Sequence, residues 1–142
     1  TVRRVTRMLR GVARKNNITL RQDLANDCSI LILEDDLYQI IFNLVENGIK
    51  YNKPGGSVTV QVFTNGVEAN VAISDTGIGI PEEHLPRLFE RFYRVDKSRS
   101  KSTGGTGLGL SIVKHGAKIH GATIKVESKL GEGTKMTLKF PC

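Results

Sequence analysis

The chain has 142 residues, with 21 Lys+Arg against 14 Asp+Glu and a formal net charge of +7. That length fits one domain, able to bury roughly two-thirds of its unfolded surface without disulfide or metal staples. Hydrophobic content of 39% with 25% charged residues excludes a disordered or collagen-like chain, while the basic excess points first to nucleic acid or an anionic membrane surface.

Val2, Val5, Leu9 and Val12 recur at helical spacing, which predicts an amphipathic helix ending near Asn16-Asn17. Arg3, Arg4, Arg7, Arg10, Arg14, Lys15 and Arg21 all fall within the first 22 residues, where there is no acid. The remainder balances 14 basic against 14 acidic residues, so the whole excess belongs to this N-terminal stretch. A nucleic-acid domain more usually spreads its basic residues over the folded body, and no aromatic platform or readable motif is present, so nucleic acid is not expected as a partner. Residues 1–17 are expected to lead into a domain spanning 18–142.

Residues 18–24 and 29–33 read as short strands, and Asp36 to Tyr51 as the strongest helix of the chain. Lys53-Pro54-Gly55-Gly56 ends that helix. Ser57 to Thr64 and Glu68 to Ser74 alternate as a hairpin about Asn65-Gly66. A loop from Asp75 to about Thr106 follows, then a helix from Leu108 to His120 and strands at 122–128 and 134–140 joined by Leu130-Gly131-Glu132-Gly133. The order predicts a two-layer α/β sandwich, a mixed sheet with helices on one face. So long a loop fits such a domain only if it is functional.

Cys28 and Cys142 match no zinc spacing and are too few for a disulfide framework, which favours a reducing compartment. No stretch approaches the roughly 18 apolar residues of a membrane span, and no signal peptide is visible. The chain opens at Thr1, as a fragment excised from a longer protein would.

On the helix from Asp36 to Tyr51, Leu37, Ile40, Ile41, Leu44, Val45, Gly48 and Ile49 form the face that would pack on the sheet. Asn43, Glu46, Asn47 and Lys50 share the opposite stripe, offering oxygen ligands for a hard cation beside a phosphate-binding charge. Taken alone, such a stripe is more often a solvated polar face. Asp75-Thr76-Gly77-Ile78-Gly79-Ile80-Pro81 follows a strand directly. Its glycines permit a sharp turn and close approach of a flat ligand, and its aspartate can accept a hydrogen bond from an exocyclic amine. A strand-ending turn with Asp bonding its own backbone explains the same residues more plainly. Gly104-Gly105-Thr106-Gly107-Leu108-Gly109-Leu110 runs into a helix, a setting for anions, yet fits neither the P-loop nor the dinucleotide pattern. Between the glycine loops, residues 87–101 hold six basic and two acidic residues, a local +4 able to close over and neutralise a phosphate group.

In this order, the Asn-bearing helix, DTGIGIP, LFERFYRVD, GGTGLGLSIVK and GEGT resemble the N, G1, F, G2 and G3 boxes of bacterial sensor histidine kinases. The resemblance covers about residues 18 to 140 and is to their ATP-binding catalytic domain. That domain has the Bergerat-type fold shared with gyrase, Hsp90-type chaperones and mismatch-repair ATPases. The LFERFYRVD variant suggests the phosphate-regulon sensor subgroup.

The resemblance implies ATP and Mg²⁺ as cofactors. Asp75 would bind the adenine amino group, with Gly77, Gly79 and Ile80 forming the base pocket, Tyr51 packing near the adenine and Thr134 approaching the base. Asn47 would hold Mg²⁺ with Asn43 assisting, and Lys50 would reach the phosphates. Gly105, Thr106, Gly107, Leu108, Gly109 and Leu110 would lead from the lid to the phosphate-facing helix. Arg94 would meet the γ-phosphate, with Arg99 as a second lid arginine. The sequence departs from the family at Gly48, where alanine is usual, and at Asn52, where Ser or Thr is usual.

In the related ATPases a glutamate stands at the place of Asn43. An amide cannot serve as that base, so Asn43 and Arg94 are read as the catalytic pair for phosphoryl transfer to a protein rather than to water. The acceptor would be a histidine in a His-Glu-x-x-x-Pro context on a dimerisation domain of the same parent, and His84, His115 and His120 lack that context. A homodimeric parent, a cognate response regulator, and a cytoplasmic placement beneath a membrane-anchored parent complete the expectation. This fragment would make no direct membrane contact. A same-fold serine kinase, anti-sigma switch or ATPase is the alternative.

Overall fold

The computed structural model describes residues 1–24, 30, 32–65, 67–90 and 109–141. Helix α1 (Val2–Lys15) leads into β1 (Thr19–Leu24), followed by α2 (Glu34–Lys50) and the hairpin β2 (Ser57–Thr64) and β3 (Glu68–Asp75). A short 3₁₀ helix (Glu82–Arg87), α3 (Gly109–Ile119), and the hairpin β4 (Thr123–Lys129) and β5 (Gly133–Pro141) complete the chain. The five strands form one mixed sheet in the order β1-β2-β3-β5-β4; β1 runs parallel to β2 and the other pairings are antiparallel. The expected α/β (α+β) sandwich is therefore the observed one.

Alternation along the strands decides which face the helices cover, because successive side chains point to opposite sides of a sheet. Register aligns Leu24, Val62, Val71, Leu138 and Ile124 in one cross-strand row, and Val60, Ile73, Met136 and Val126 in the next. These rows join Ile40, Ile41, Leu44, Val45 and Ile49 of α2 and Val113 and Ala117 of α3 in a single core. A third row begins in the same manner with Leu20 and Val58, then turns polar at Asp75, Thr134 and Ser128. That change marks one end of the sheet.

Helix α1 belongs to this core. Val2, Val5, Leu9 and Ala13 are buried, while Val12 is 43% exposed. At 100° per residue, position 12 lies on the margin of the stripe centred on residues 5, 9 and 13, so alanine takes the place expected for Val12. Thr6 is buried as well, and its hydroxyl lies 2.9 Å from Gln22 Oε1 of β1. Arg4 reaches α2 twice, pairing with Glu34 at 3.3 Å and lying 4.5 Å above the Tyr38 ring. Asn17 follows the helix at φ +59, the left-handed conformation in which asparagine commonly ends a helix.

The strand expected over 29–33 is absent among the described residues there. Leu33 instead precedes α2 as its N-cap, and the helix starts at Glu34, two residues before the expected Asp36. Glu34, Asp35 and Asp36 fill the first turn, where carboxylates suit the positive end of the helix dipole. Asp36 also pairs with His120 at 2.9 Å, tying the start of α2 to the segment after α3.

Gly48 lies on the sheet-facing side of α2, where an added Cβ would come within 3.2 and 3.3 Å of the Val58 methyl carbons. Gly11 of α1 has nothing within 4 Å of that position. Gly11→Ala is therefore expected to stabilise the chain by about 0.5–1 kcal/mol through helix propensity alone. Gly48→Ala should gain less, because crowding against Val58 opposes the same benefit. Urea unfolding of both variants checks the order.

Candidate functional site

The site is built where the third row turns polar. Asp75 ends β3, directly paired with Thr134 of β5, which in turn is paired with Ser128 of β4. The carboxylate is half-buried. Its Oδ1 accepts from Gly77 N at 2.9 Å and from Thr134 N at 3.2 Å, while Oδ2 has no hydrogen bond among the described residues. Burial pushes the carboxyl above its ordinary value of 3.8, and the two backbone N–H bonds oppose that shift. One oxygen is thus committed to holding the side chain, and the other remains as an acceptor.

The loop after Asp75 is fixed from three sides. Thr76 N donates to Ser57 O at 3.1 Å, Ile78 N to Tyr51 O at 3.1 Å, and Gly131 N to Ile78 O at 2.8 Å. Ile80 N donates to Ser128 Oγ at 2.8 Å. Two glycines permit this packing. Gly79 sits at φ +73, and a Cβ there would collide with Lys129 O; Gly133 sits at φ +124, and a Cβ there would collide with Asp75 O. A Cβ on Gly77 would lie 2.5 Å from Tyr51 O and 2.9 Å from Asp75 Oδ1. The DTGIGIP segment is thus seated between the end of α2 and the β4–β5 turn.

Helix α2 brings its polar stripe to the same end of the sheet. Glu46 and Lys50 pair at 3.3 Å, both partly buried. The Asn43 side-chain amide nitrogen is buried with no hydrogen-bond partner among the described residues. An unpaired buried donor costs on the order of 1–3 kcal/mol, so this amide suits a site completed by another group. Asn47 is partly buried one turn further on. Asn52, where the family usually has Ser or Thr, is buried; its Nδ2 donates to Ser57 O at 3.0 Å and its Oδ1 accepts from Lys53 N at 2.9 Å.

The structure thus brings Asp75, Gly77, Gly79, Ile80 and Thr134 together at the sheet end, with Tyr51 against them through its carbonyl. Asn43, Asn47 and Lys50 lie along α2, and Gly109 and Leu110 open α3. Arg94, Arg99, Gly105, Thr106, Gly107 and Leu108 lie outside the described residues. Among the described residues, no cluster of three His, Cys, Asp or Glu side chains could hold a metal ion. A cation here could rest on the amide oxygens of the α2 stripe and on its ligand's phosphates, a mode that suits Mg²⁺. The unpaired Asn43 Nδ2 is a donor, which suits a phosphate oxygen and not the cation itself.

Sequence reasoning missed Ser128 and the role of Gly133. The β4–β5 turn carried the signal, since pairing Lys129 with Gly133 across it also pairs Ser128 with Thr134.

The chain belongs to the family described as histidine kinase-, DNA gyrase B- and HSP90-like ATPases, whose model matches residues 32–142. Its relatives are sensor histidine kinases. It is 43% identical over 125 residues to the sensor-like histidine kinase SenX3 of Mycobacterium tuberculosis, a match covering 88% of this chain and 30% of SenX3. It is 45% identical over 107 residues to the phosphate regulon sensor protein PhoR of Pseudomonas aeruginosa, covering 75% of this chain and 24% of PhoR. The chain thus spans about a third or less of the curated relatives it matches. Among solved structures, full-length ShkA in complex with AMPPNP superposes with a TM-score of 0.84 at 27% identity, over 99% of this chain and 29% of that one. No helix among the described residues is long and apolar enough to cross a membrane.

Asp75→Asn tests the electrostatics of the site. Asparagine keeps an oxygen for both backbone N–H groups and removes the buried charge, so the ligand-free variant should be at least as stable as the parent near neutral pH. Because the native carboxyl holds its proton at higher pH than the unfolded one, the parent gains stability relative to the variant as pH falls through the raised native value. The difference should level off below the ordinary value of 3.8. Thermal unfolding of both proteins from about pH 7 to about pH 3 follows it.

Proposed function

We propose that the chain is the ATP-binding catalytic domain of a sensor histidine kinase, which binds Mg-ATP and passes the γ-phosphoryl group to a histidine on a dimerisation domain of its parent. The observation that carries this reading is the Asp75 carboxylate, with Oδ1 held by Gly77 and Thr134 and Oδ2 left as an acceptor at the rim of a glycine-built cradle. An acceptor so fixed suits the amino group of adenine. The family match and the sensor-kinase relatives support the same assignment.

In this reading Asp75, Gly77, Gly79, Ile80, Tyr51 and Thr134 bind the base. Asn47 and Asn43 hold Mg²⁺, which when bound neutralises the charge of the triphosphate. Lys50 reaches the phosphates by exchanging its Glu46 partner for them. By the family resemblance, Gly105, Thr106, Gly107, Leu108, Gly109 and Leu110 are assigned to the passage from the lid into the phosphate-facing helix, and Arg94, joined by Arg99, to the γ-phosphate. Phosphoryl transfer demands mainly positioning and charge stabilisation, which this set provides. Asn43 stands where the related ATPases carry their glutamate and an amide cannot act as a base toward water, so transfer to a protein acceptor is favoured over hydrolysis.

His84 pairs weakly with Glu83 at 3.6 Å, His115 is exposed on α3, and His120 pairs with Asp36. We assign the acceptor to a separate histidine-phosphotransfer domain, in a parent that is a membrane-anchored homodimer feeding a cognate response regulator. Residues 1–17, which contain α1, form the link from that domain into the catalytic body.

Calorimetry of the chain with ATP, with and without Mg²⁺, tests the site. Asn47→Ala should weaken Mg-ATP binding by about tenfold, roughly 1.4 kcal/mol, and metal-free ATP binding far less. Equal losses in both titrations would remove Asn47 from the metal site. Joining the parent's helical hairpin and recovering phosphohistidine from labelled ATP tests the transfer itself; phosphoserine in its place would favour the serine-kinase alternative.

A further inference from the structure

The polar end of the third sheet row contains a hydroxyl relay that the site as described leaves unused. Ser128 Oγ lies 3.0 Å from Gly133 O, 2.8 Å from Thr134 Oγ1, and 2.8 Å from Ile80 N. A hydroxyl has one proton and two lone pairs, whereas a carbonyl oxygen can only accept and an N–H can only donate. The proton of Ser128 therefore goes to Gly133 O, and one lone pair is taken by Ile80 N. Its remaining lone pair receives the proton of Thr134. These assignments leave no freedom: the Thr134 hydroxyl is committed as a donor toward Ser128, and toward anything else it can only accept.

Thr134 stands beside Asp75, sharing its register position and the same face of the sheet. The two side chains together present acceptors without a donor: Asp75 Oδ2 and the free lone pairs of Thr134 Oγ1. We infer that Ser128 is a positioning residue for base recognition, which holds the Thr134 hydroxyl as an acceptor so that the pocket favours a purine bearing an amino group over one bearing an oxo group at the same place. A free threonine hydroxyl would turn and donate to an oxo group, partly accommodating the wrong base. Ser128 removes that option, so it adds to the discrimination Asp75 supplies through its charge. This inference rests on the reading of Asp75 and Thr134 as the base site.

The test uses the 142-residue chain and titrates Mg-ATP and Mg-inosine triphosphate, which differ in the amino and oxo groups at the base. Ser128→Ala should reduce the ATP-over-inosine preference by about two- to tenfold, the worth of one hydrogen bond. Ser128→Thr, which keeps the hydroxyl, should retain the preference. Ser128→Cys keeps the volume but bonds weakly, so it should also lose preference and decides the matter if the alanine variant does not fold. An unchanged preference in a folded Ala or Cys variant, or equal losses for both nucleotides, would overturn the inference and reduce Ser128 to a structural residue of the turn. Asp75→Asn, measured alongside, separates the two levels. If it abolishes ATP binding, the base site stands whatever Ser128 does; if it binds ATP as the parent does, the base-site reading fails and the inference with it.

Discussion

The structure depends on a carboxylate placed where a hydrophobic row ends. Leu20 and Val58 start the third row of the sheet as core residues, and Asp75 continues it on the same face. A charge carried into that row raises its own proton affinity, and the fold answers with two backbone N–H groups, from Gly77 within the same loop and from Thr134 on the neighbouring strand. Those bonds hold one oxygen and leave the other free. Both properties of the site, a fixed orientation and a spare acceptor, follow from that division.

Much of the surrounding architecture can be read as what this placement requires. Gly133 must lack a Cβ because Asp75 O occupies the space, and Gly79 must adopt a left-handed conformation against Lys129 O. The loop from Thr76 to Ile80 then hangs by hydrogen bonds from β2, from the end of α2 and from the β4–β5 hairpin, so three pieces distant in sequence define one pocket wall. Helix α2 settles close to the same strand end because Gly48 has no side chain to hold it away from Val58. Its Asn43 amide nitrogen is buried with no hydrogen-bond partner among the described residues. A core optimised only for stability would bury neither that amide nor the Asp75 charge.

Local patterning made most elements legible. Strand-type residues flanking Asn65-Gly66 located β2 and β3 to within a residue, although β3 is buried continuously from Ala69 to Ile73. The glycine-bearing turn between β4 and β5 located that hairpin, because strand composition and turn chemistry are encoded by neighbours in sequence. Where apolar residues ran on without alternation, as over 29–33, composition resembled a buried strand, yet Leu33 is exposed ahead of α2. In α1 the exchange of Val12 for Ala13 shows a second limit: residue type marks the stripe, but the angular fit against α2 and β1 chooses which marginal position is buried.

By itself, the sequence determined the order of elements, the two-layer class, the family and the set of chemically capable residues, since five short motifs in fixed succession encode all of these locally. Tertiary structure alone decided which of those groups meet and in what hydrogen-bonding state. Asp75 and Thr134 lie 59 residues apart and become neighbours through the β3–β5 register. Ser128, 48 residues beyond Ile80, has no distinguishing sequence context of its own. Its part in the site arises because one hydroxyl proton and two lone pairs must be shared among Gly133, Ile80 and Thr134 at once, a constraint that exists only after the chain has brought those atoms within hydrogen-bonding distance.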